Sequence, residues 1–186
     1  MGKTGKIRMP NNFDVHSDVE FKNRLDEVRQ NILYPFVKKE DKLKCYFAGP
    51  WFDDRANAIY EVCKNIISKI PEMTRCYDFY FPKDNNFETP QITFNENVKQ
   101  IQDCDVVLAL VSRKDVGTAW EIGMAFAAGK KIYLLGYDET TFLSHTNVML
   151  AFTGSCLTID KLGKFVTGNM VSGDYIDIPN VWEGIE

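Results

Sequence analysis

The run Asp115, Val116, Gly117, Thr118, Ala119, Trp120, Glu121 sets a carboxylate on either side of a glycine-containing turn that opens an apolar, helix-forming stretch. On a helix, the neighbours of Glu121 at three and four positions are Gly117, Thr118, Met124 and Ala125, so no basic side chain of its own helix can pair with it. The positive end of the helix dipole is expected to hold a carboxylate in the first turns ionised, an effect of about 0.3–1 kcal/mol. An ionised, unpaired carboxylate beside a crevice suits displacement at an acetal carbon, where it attacks as positive charge builds and then holds the sugar as an ester. The position also suits an ordinary helix glutamate exposed on an edge. Asp115 has two readings as well: an N-cap, which aspartate before a helix favours, or a proton donor to a leaving group.

Two further segments carry suitable side chains. In Tyr46, Phe47, Ala48, Gly49, Pro50, Trp51, Phe52, Asp53, the chain turns at Gly49 and Pro50 and enters a helix at Asp53. That would leave Trp51 and Phe52 exposed at a crevice rim, able to stack on a nucleobase, or else folded back into the core. The segment Tyr80, Phe81, Pro82, Lys83, Asp84, Asn85, Asn86 offers amides and carboxylates for base edges or sugar hydroxyls, in a composition that a plain turn also favours.

These residues need elements to position them, and the pattern from Lys42 onward alternates strand and helix. Strands are expected at 43–48, 77–81, 105–111, 131–136 and, more weakly, 155–159; helices at 53–70, 89–102, 116–129 and around 140–151. The order βαβαβαβαβ implies an α/β fold: a single flavodoxin-like or Rossmann-like domain over residues 42–186, its mostly parallel five-stranded sheet covered by helices on both faces. Ligands of such sheets bind beyond the carboxyl ends of the strands, where the three segments fall. Small residues Ala119, Gly123 and Ala127 recur every fourth position and are expected to let their helix lie close against the sheet. Residues 1–41 read as an N-terminal arm with one amphipathic helix between Val19 and Val37.

Composition narrows the classes. The chain has 186 residues, 45% of them hydrophobic and 26% charged, which fits one folded domain rather than a disordered chain. A net charge of −4, with basic residues spread along the chain, gives no footprint for a nucleic-acid polymer. No apolar run approaches a membrane span, and the polar N-terminus lacks a signal-peptide core, so a cytoplasmic location is expected. Five scattered cysteines suit reduced, buried thiols better than a disulfide framework or a zinc site. Gly2, Lys3 and Thr4 lack the rest of a phosphate loop, no dinucleotide glycine fingerprint follows the first strand, and His16 and His145 read as lone surface or packing histidines rather than ligands.

Taken together, YFAGPWFDDRAN, YFPKDNN, DVGTAWEIGMAFAAGK and TNVM resemble the nucleoside 2-deoxyribosyltransferases, particularly the bacterial type that accepts purine and pyrimidine deoxynucleosides. The resemblance covers about Lys42 to Leu150. It implies that Glu121 is the nucleophile, oriented by a hydrogen bond from Tyr46, and that Asp115 contacts and protonates the base. It further implies that Phe52 packs on the base and that Asn86 supplies a base-contacting amide; Trp51, as a rim aromatic, and Gly117, in the turn between the two acids, are counted with the substrate-binding residues. Asn147 and Met149 match pocket residues contributed by an adjacent subunit, which implies a homo-oligomer, a dimer or a hexamer, with shared active sites. The expected partners are 2′-deoxynucleosides and free nucleobases, with no metal or organic cofactor. The chain departs from the family at Asn97, where a second base-contacting aspartate is expected. An amide makes hydrogen bonds but supplies no proton, which puts base preference and the proton path in question. Glu96 beside it could substitute only with a slipped alignment.

Two other classes compete with base exchange. An N-glycoside hydrolase of the same superfamily would pass the sugar to water, often from a nucleoside monophosphate. The aromatic and acidic loop Trp51, Phe52, Asp53, Asp54 lacks the donors that phosphate recognition wants. A nucleotide-binding sensor on the same fold would bind without breaking the glycosidic bond.

Overall fold

The computed structural model describes residues 42–85, 87–111, 115–144 and 148–178. The arm at 1–41, with the expected helix 19–37 and His16, lies outside the described residues, as do Asn86, His145 and Asn147.

Five strands form the sheet: β1 (Leu43–Ala48), β2 (Tyr77–Tyr80), β3 (Val106–Leu110), β4 (Lys131–Gly136) and β5 (Ser155–Thr158), in the order β2-β1-β3-β4-β5. Every neighbouring pair is parallel. Helices α1 (Asp54–Lys69), α2 (Pro90–Asp103), α3 (Val116–Ala127), α4 (Thr140–Ser144), α5 (Val148–Ala151) and α6 (Leu162–Val166) complete the regular structure, with several short 3-10 turns. The strand order reverses between β1 and β3, and the ends of strands at such a switch point are where sheets of this kind bind ligands.

A parallel sheet covered on both faces has no wet side, which is why β3 reads as the unbroken apolar run VVLAL with every residue buried. Alternate side chains feed two cores. Cys45, Phe47, Val106, Leu108 and Leu110 face α1 and α6, where Ile59, Ile66, Ile67 and Phe165 meet them. Tyr46, Ala48, Val107 and Ala109 face α2 and α3, where Ile101, Ile122 and Ala125 close the layer.

Local chemistry sets the helix ends. Asp53 caps α1, accepting from the Ala56 N–H at 2.8 Å, and the helix stops at Ile70, before Pro71. Thr89 caps α2, with Pro90 in the first turn. After α3 the chain turns at Gly129, whose φ of 67° is left-handed and suits the residue without a Cβ.

The helical stretch expected around 140–151 comprises two short helices, α4 and α5. Helix α6, which spans five residues, is too short to show a hydrophobic period and was not anticipated. All five cysteines are free and buried. Among the described residues no helix is long and apolar enough to cross a membrane.

Candidate active site

Tyr46 and Glu121 meet across the second core. Strand alternation turns Tyr46 toward α3, and its hydroxyl donates to Glu121 Oε1 at 2.6 Å from 75 residues away in the chain. Glu121 belongs to the inner face of α3, together with Thr118, Ile122 and Ala125, and is only 9% exposed. Burial pushes its carboxyl up from 4.5 to about 7; the Tyr46 hydrogen bond acts against the rise and the Asp115 charge adds to it.

This corrects the expectation that the helix dipole keeps Glu121 ionised. Glu121 lies beyond the first turn of α3, where the dipole has faded, and the loss of water outweighs it. The carboxyl therefore keeps its proton to a higher pH than a solvated glutamate does. Tyr46 itself is raised far above the usual phenol range, first by burial and then by Glu121, so it stays a hydrogen-bond donor.

Asp115 is the N-cap of α3. Its Oδ2 accepts from the Thr118 N–H at 2.6 Å and from the Thr118 hydroxyl at 2.7 Å, and the side chain is half-buried. Gly117 is exposed beside it. A Cβ at Gly117 would come within 3.2 Å of Asp115 Oδ2, so glycine leaves the cap carboxylate room.

The small residues of α3 do not face the sheet as expected. Gly123 and Ala127 are exposed, and a Cβ at Gly123 would meet nothing within 4 Å. The helix presents its bulkier Ile122 and Glu121 inward instead. Its outer side carries exposed Val116, Trp120 and Phe126, with Trp120 resting against exposed Phe94 of α2 at 5.5 Å between ring centroids.

After β1, Gly49 passes so close to β3 and α1 that a Cβ would sit 3.2 Å from both Leu110 and Tyr60. The two aromatics beyond it divide. Phe52 is 78% exposed, whereas Trp51 is half-buried against the first core, edge-on to Tyr60 at 5.7 Å. Trp51 is thus a correction to the expected exposed pair: hydrocarbon within reach of its ring, Tyr60 above all, draws it inward.

The turn after β2 is pinned to α1. Lys83 bonds to Asn57 and Glu61, and Lys64 reaches Asp84 at 2.5 Å. The Asn85 amide donates to the Phe81 carbonyl at 3.1 Å. Much of this turn's polarity is therefore spent on structure.

Asn97, on α2, is half-buried, and its Oδ1 is buried without a hydrogen-bond partner. With Phe87, Glu88, Thr89, Thr93 and Phe94 it lines an open cleft of about 450 Å³. Glu96, the alternative at this position, accepts from Gln100 at 2.7 Å. Met149 is exposed on α5. Sequence reasoning passed over Tyr80, which stacks on Tyr46 with ring centroids 5.7 Å apart. Only the register pairing Tyr46 with Tyr80 would have revealed it, and register is not written in either strand alone.

A family model described as nucleoside 2-deoxyribosyltransferase matches residues 45–171 of the chain. Among solved structures, the fold is similar to that of a 2-deoxyribosyltransferase from Bacillus psychrosaccharolyticus, with a TM-score of 0.50 and 18% identity over 62% of this chain and 84% of that one. It is also similar to that of a conserved protein from Enterococcus faecalis V583, with a TM-score of 0.54 and 18% identity over 70% of this chain and all (100%) of that one. A 2-desoxiribosyltransferase from Leishmania mexicana is 28% identical over 53% of this chain and 66% of its own, with a TM-score of 0.43. No curated protein matches the sequence.

Proposed function

This chain belongs to the nucleoside 2-deoxyribosyltransferase family, and from that premise we propose that it exchanges the base of 2′-deoxynucleosides through a covalent 2-deoxyribosyl ester on Glu121. The observation that carries the reading is the buried Tyr46–Glu121 hydrogen bond, which fixes one carboxylate oxygen and leaves the acid poorly solvated. A carboxylate stripped of water is a better nucleophile than a hydrated one, and the phenol steadies it without quenching it by an ion pair.

The reaction runs in two displacements. Ionised Glu121 attacks C1′ while the C1′–N bond to the base breaks, and Asp115, which enters the step protonated, passes its proton to the departing base. An incoming base then attacks C1′ from the vacated side, the ester bond breaks, and the proton returns to Asp115. Two inversions give net retention. The missing 2′-hydroxyl helps because no electron-withdrawing group opposes the positive charge building at C1′.

Phe52, Trp51, Gly117, Asn86 and Asn97 line the substrate in this reading. Exposed Phe52 supplies a face for stacking, and Asn97 supplies an amide in place of the aspartate that the resemblance leads one to expect. Exposed Val116, Trp120 and Phe126 on α3, Phe94 against Trp120, and exposed Met149 on α5 support a homo-oligomer in which Asn147 and Met149 serve a neighbouring subunit's pocket.

The test is brief exposure to a 2′-deoxynucleoside followed by peptide mass spectrometry, with and without a second base. A deoxyribosyl adduct on the Glu121 peptide and formation of the exchanged nucleoside are expected. Free deoxyribose at the same rate in both samples would make the chain a hydrolase, and saturable binding with the glycosidic bond intact would make it a sensor.

A further inference from the structure

Three buried polar side-chain atoms among the described residues have no hydrogen-bond partner: the Tyr60 hydroxyl, the Tyr80 hydroxyl and Asn97 Oδ1. Buried polar groups are nearly always satisfied, so an orphan beside a reaction centre calls for a ligand or a water. Tyr80 is the orphan that stacks on Tyr46, the donor to the Glu121 carboxylate. It ends β2 in register with Tyr46, its side chain packs against the same core, and its ring lies over that of Tyr46 with the planes 21° apart.

The two hydroxyls differ in what they have spent. Tyr46 gives its proton to Glu121. Tyr80, one strand further toward the sheet edge, has given its proton to nothing.

Resting on the base-exchange reading above, the geometry points to Tyr80 as a substrate-contacting residue whose hydroxyl donates a hydrogen bond to an acceptor atom of the bound deoxynucleoside, while its ring holds Tyr46 in line with Glu121. Burial, with the Glu96 charge adding to it, raises the Tyr80 phenol, so the group remains a donor across the working pH range. A deoxynucleoside offers such acceptors in a carbonyl or ring nitrogen of the base and in the oxygens of the sugar. Asn97 Oδ1 on α2 is an unspent acceptor, and its residue lines the open cleft with Phe87, Thr93 and Phe94.

Tyr80→Phe keeps the stack and deletes only the hydroxyl, and the comparison is made in a Glu121→Ala background that cannot turn substrate over. Calorimetric binding of 2′-deoxyadenosine and of thymidine should weaken about tenfold for at least one of them, as expected for a lost hydrogen bond. An unchanged Kd for both overturns the contact, and a parent that binds neither overturns it together with the reading on which it rests. Base exchange by the unaltered enzyme is scored separately: binding that depends on Tyr80 without any exchange keeps the contact and removes the transfer reading. In the active enzyme, Tyr80→Leu should in addition move the rise of kcat with pH upward, because Tyr46 loses its support and Glu121, faced otherwise by Asp115, loses a donor. A pH profile like that of Tyr80→Phe would show that the ring does not hold Tyr46 in place.

Discussion

Tyr46 and Phe47 are neighbours on β1, yet they serve opposite faces of the sheet. Phe47 enters a layer of aliphatic and aromatic side chains with Ile59, Ile66, Leu108 and Phe165, and meets Tyr60 edge-on at 5.0 Å. Tyr46 enters the layer that holds Glu121. The pleat of one strand thus separates a face that stabilises from a face that tolerates a buried acid. The difference teaches that the carboxylate's raised pKa is a local cost, which the hydrocarbon of the other face can offset.

The sharpest way to break this division is at Glu121. Glu121→Ala should lower base exchange by about a thousandfold or more while the circular dichroism spectrum and cooperative unfolding persist; undiminished product on a chromatogram would take the chemistry off this face. The converse change is Phe47→Ala, which should cost about 3–5 kcal/mol in urea unfolding yet leave the pH profile of the surviving folded enzyme in place. A cost below about 1 kcal/mol would mean that the first layer is not where stability resides.

The buried acid gives a third prediction whose sign follows from linkage. A carboxyl raised from 4.5 to about 7 keeps its proton in the folded state after the unfolded chain has lost its own. That contribution to stability is complete below pH 4.5 and is lost as the pH rises through 7. Glu121→Gln, which stays neutral, should therefore be the more stable protein at pH 8 by up to ~3 kcal/mol and lose the advantage in acid. Thermal unfolding at the two pH values decides it, since equal differences at both would put the carboxyl in water. On the proposed base-exchange reading, kcat/KM should run the other way and rise as Glu121 ionises near pH 7. The smallest effect belongs to Tyr46→Phe, which removes the donor that lowers Glu121 and should shift that rise upward by about one pH unit. A profile that stays put would leave the hydroxyl without influence on the acid.

Much of the fold was legible because its signals are local. VVLAL, short, apolar and rich in valine and leucine, reads as a doubly covered strand, Thr89–Pro90 and Asp115 announce helix starts, and all five strands lie where runs of apolar and aromatic residues place them. The site was legible in part. Asp115 and Glu121 flank the loop and first turns of α3 as their spacing implies, and Tyr46 reaches Glu121. The outward turn of Gly123 and Ala127 was not legible, because a helix whose apolar residues run nearly all round gives no unique inner face. Nor was the inward turn of Trp51, which depends on Tyr60 being underneath it.

By itself, then, the sequence determined the order of strands and helices, the caps that start the helices, and which acid follows the turn that opens α3, since each depends on residues within a few positions of one another. The tertiary structure alone decided that Glu121 is buried and hydrogen-bonded to a phenol 75 residues away, and that Tyr80 stacks beside it with its hydroxyl unspent. The reason is that desolvation and strand register are properties of what surrounds a group, and here those surroundings come from β1, β2 and α3 together.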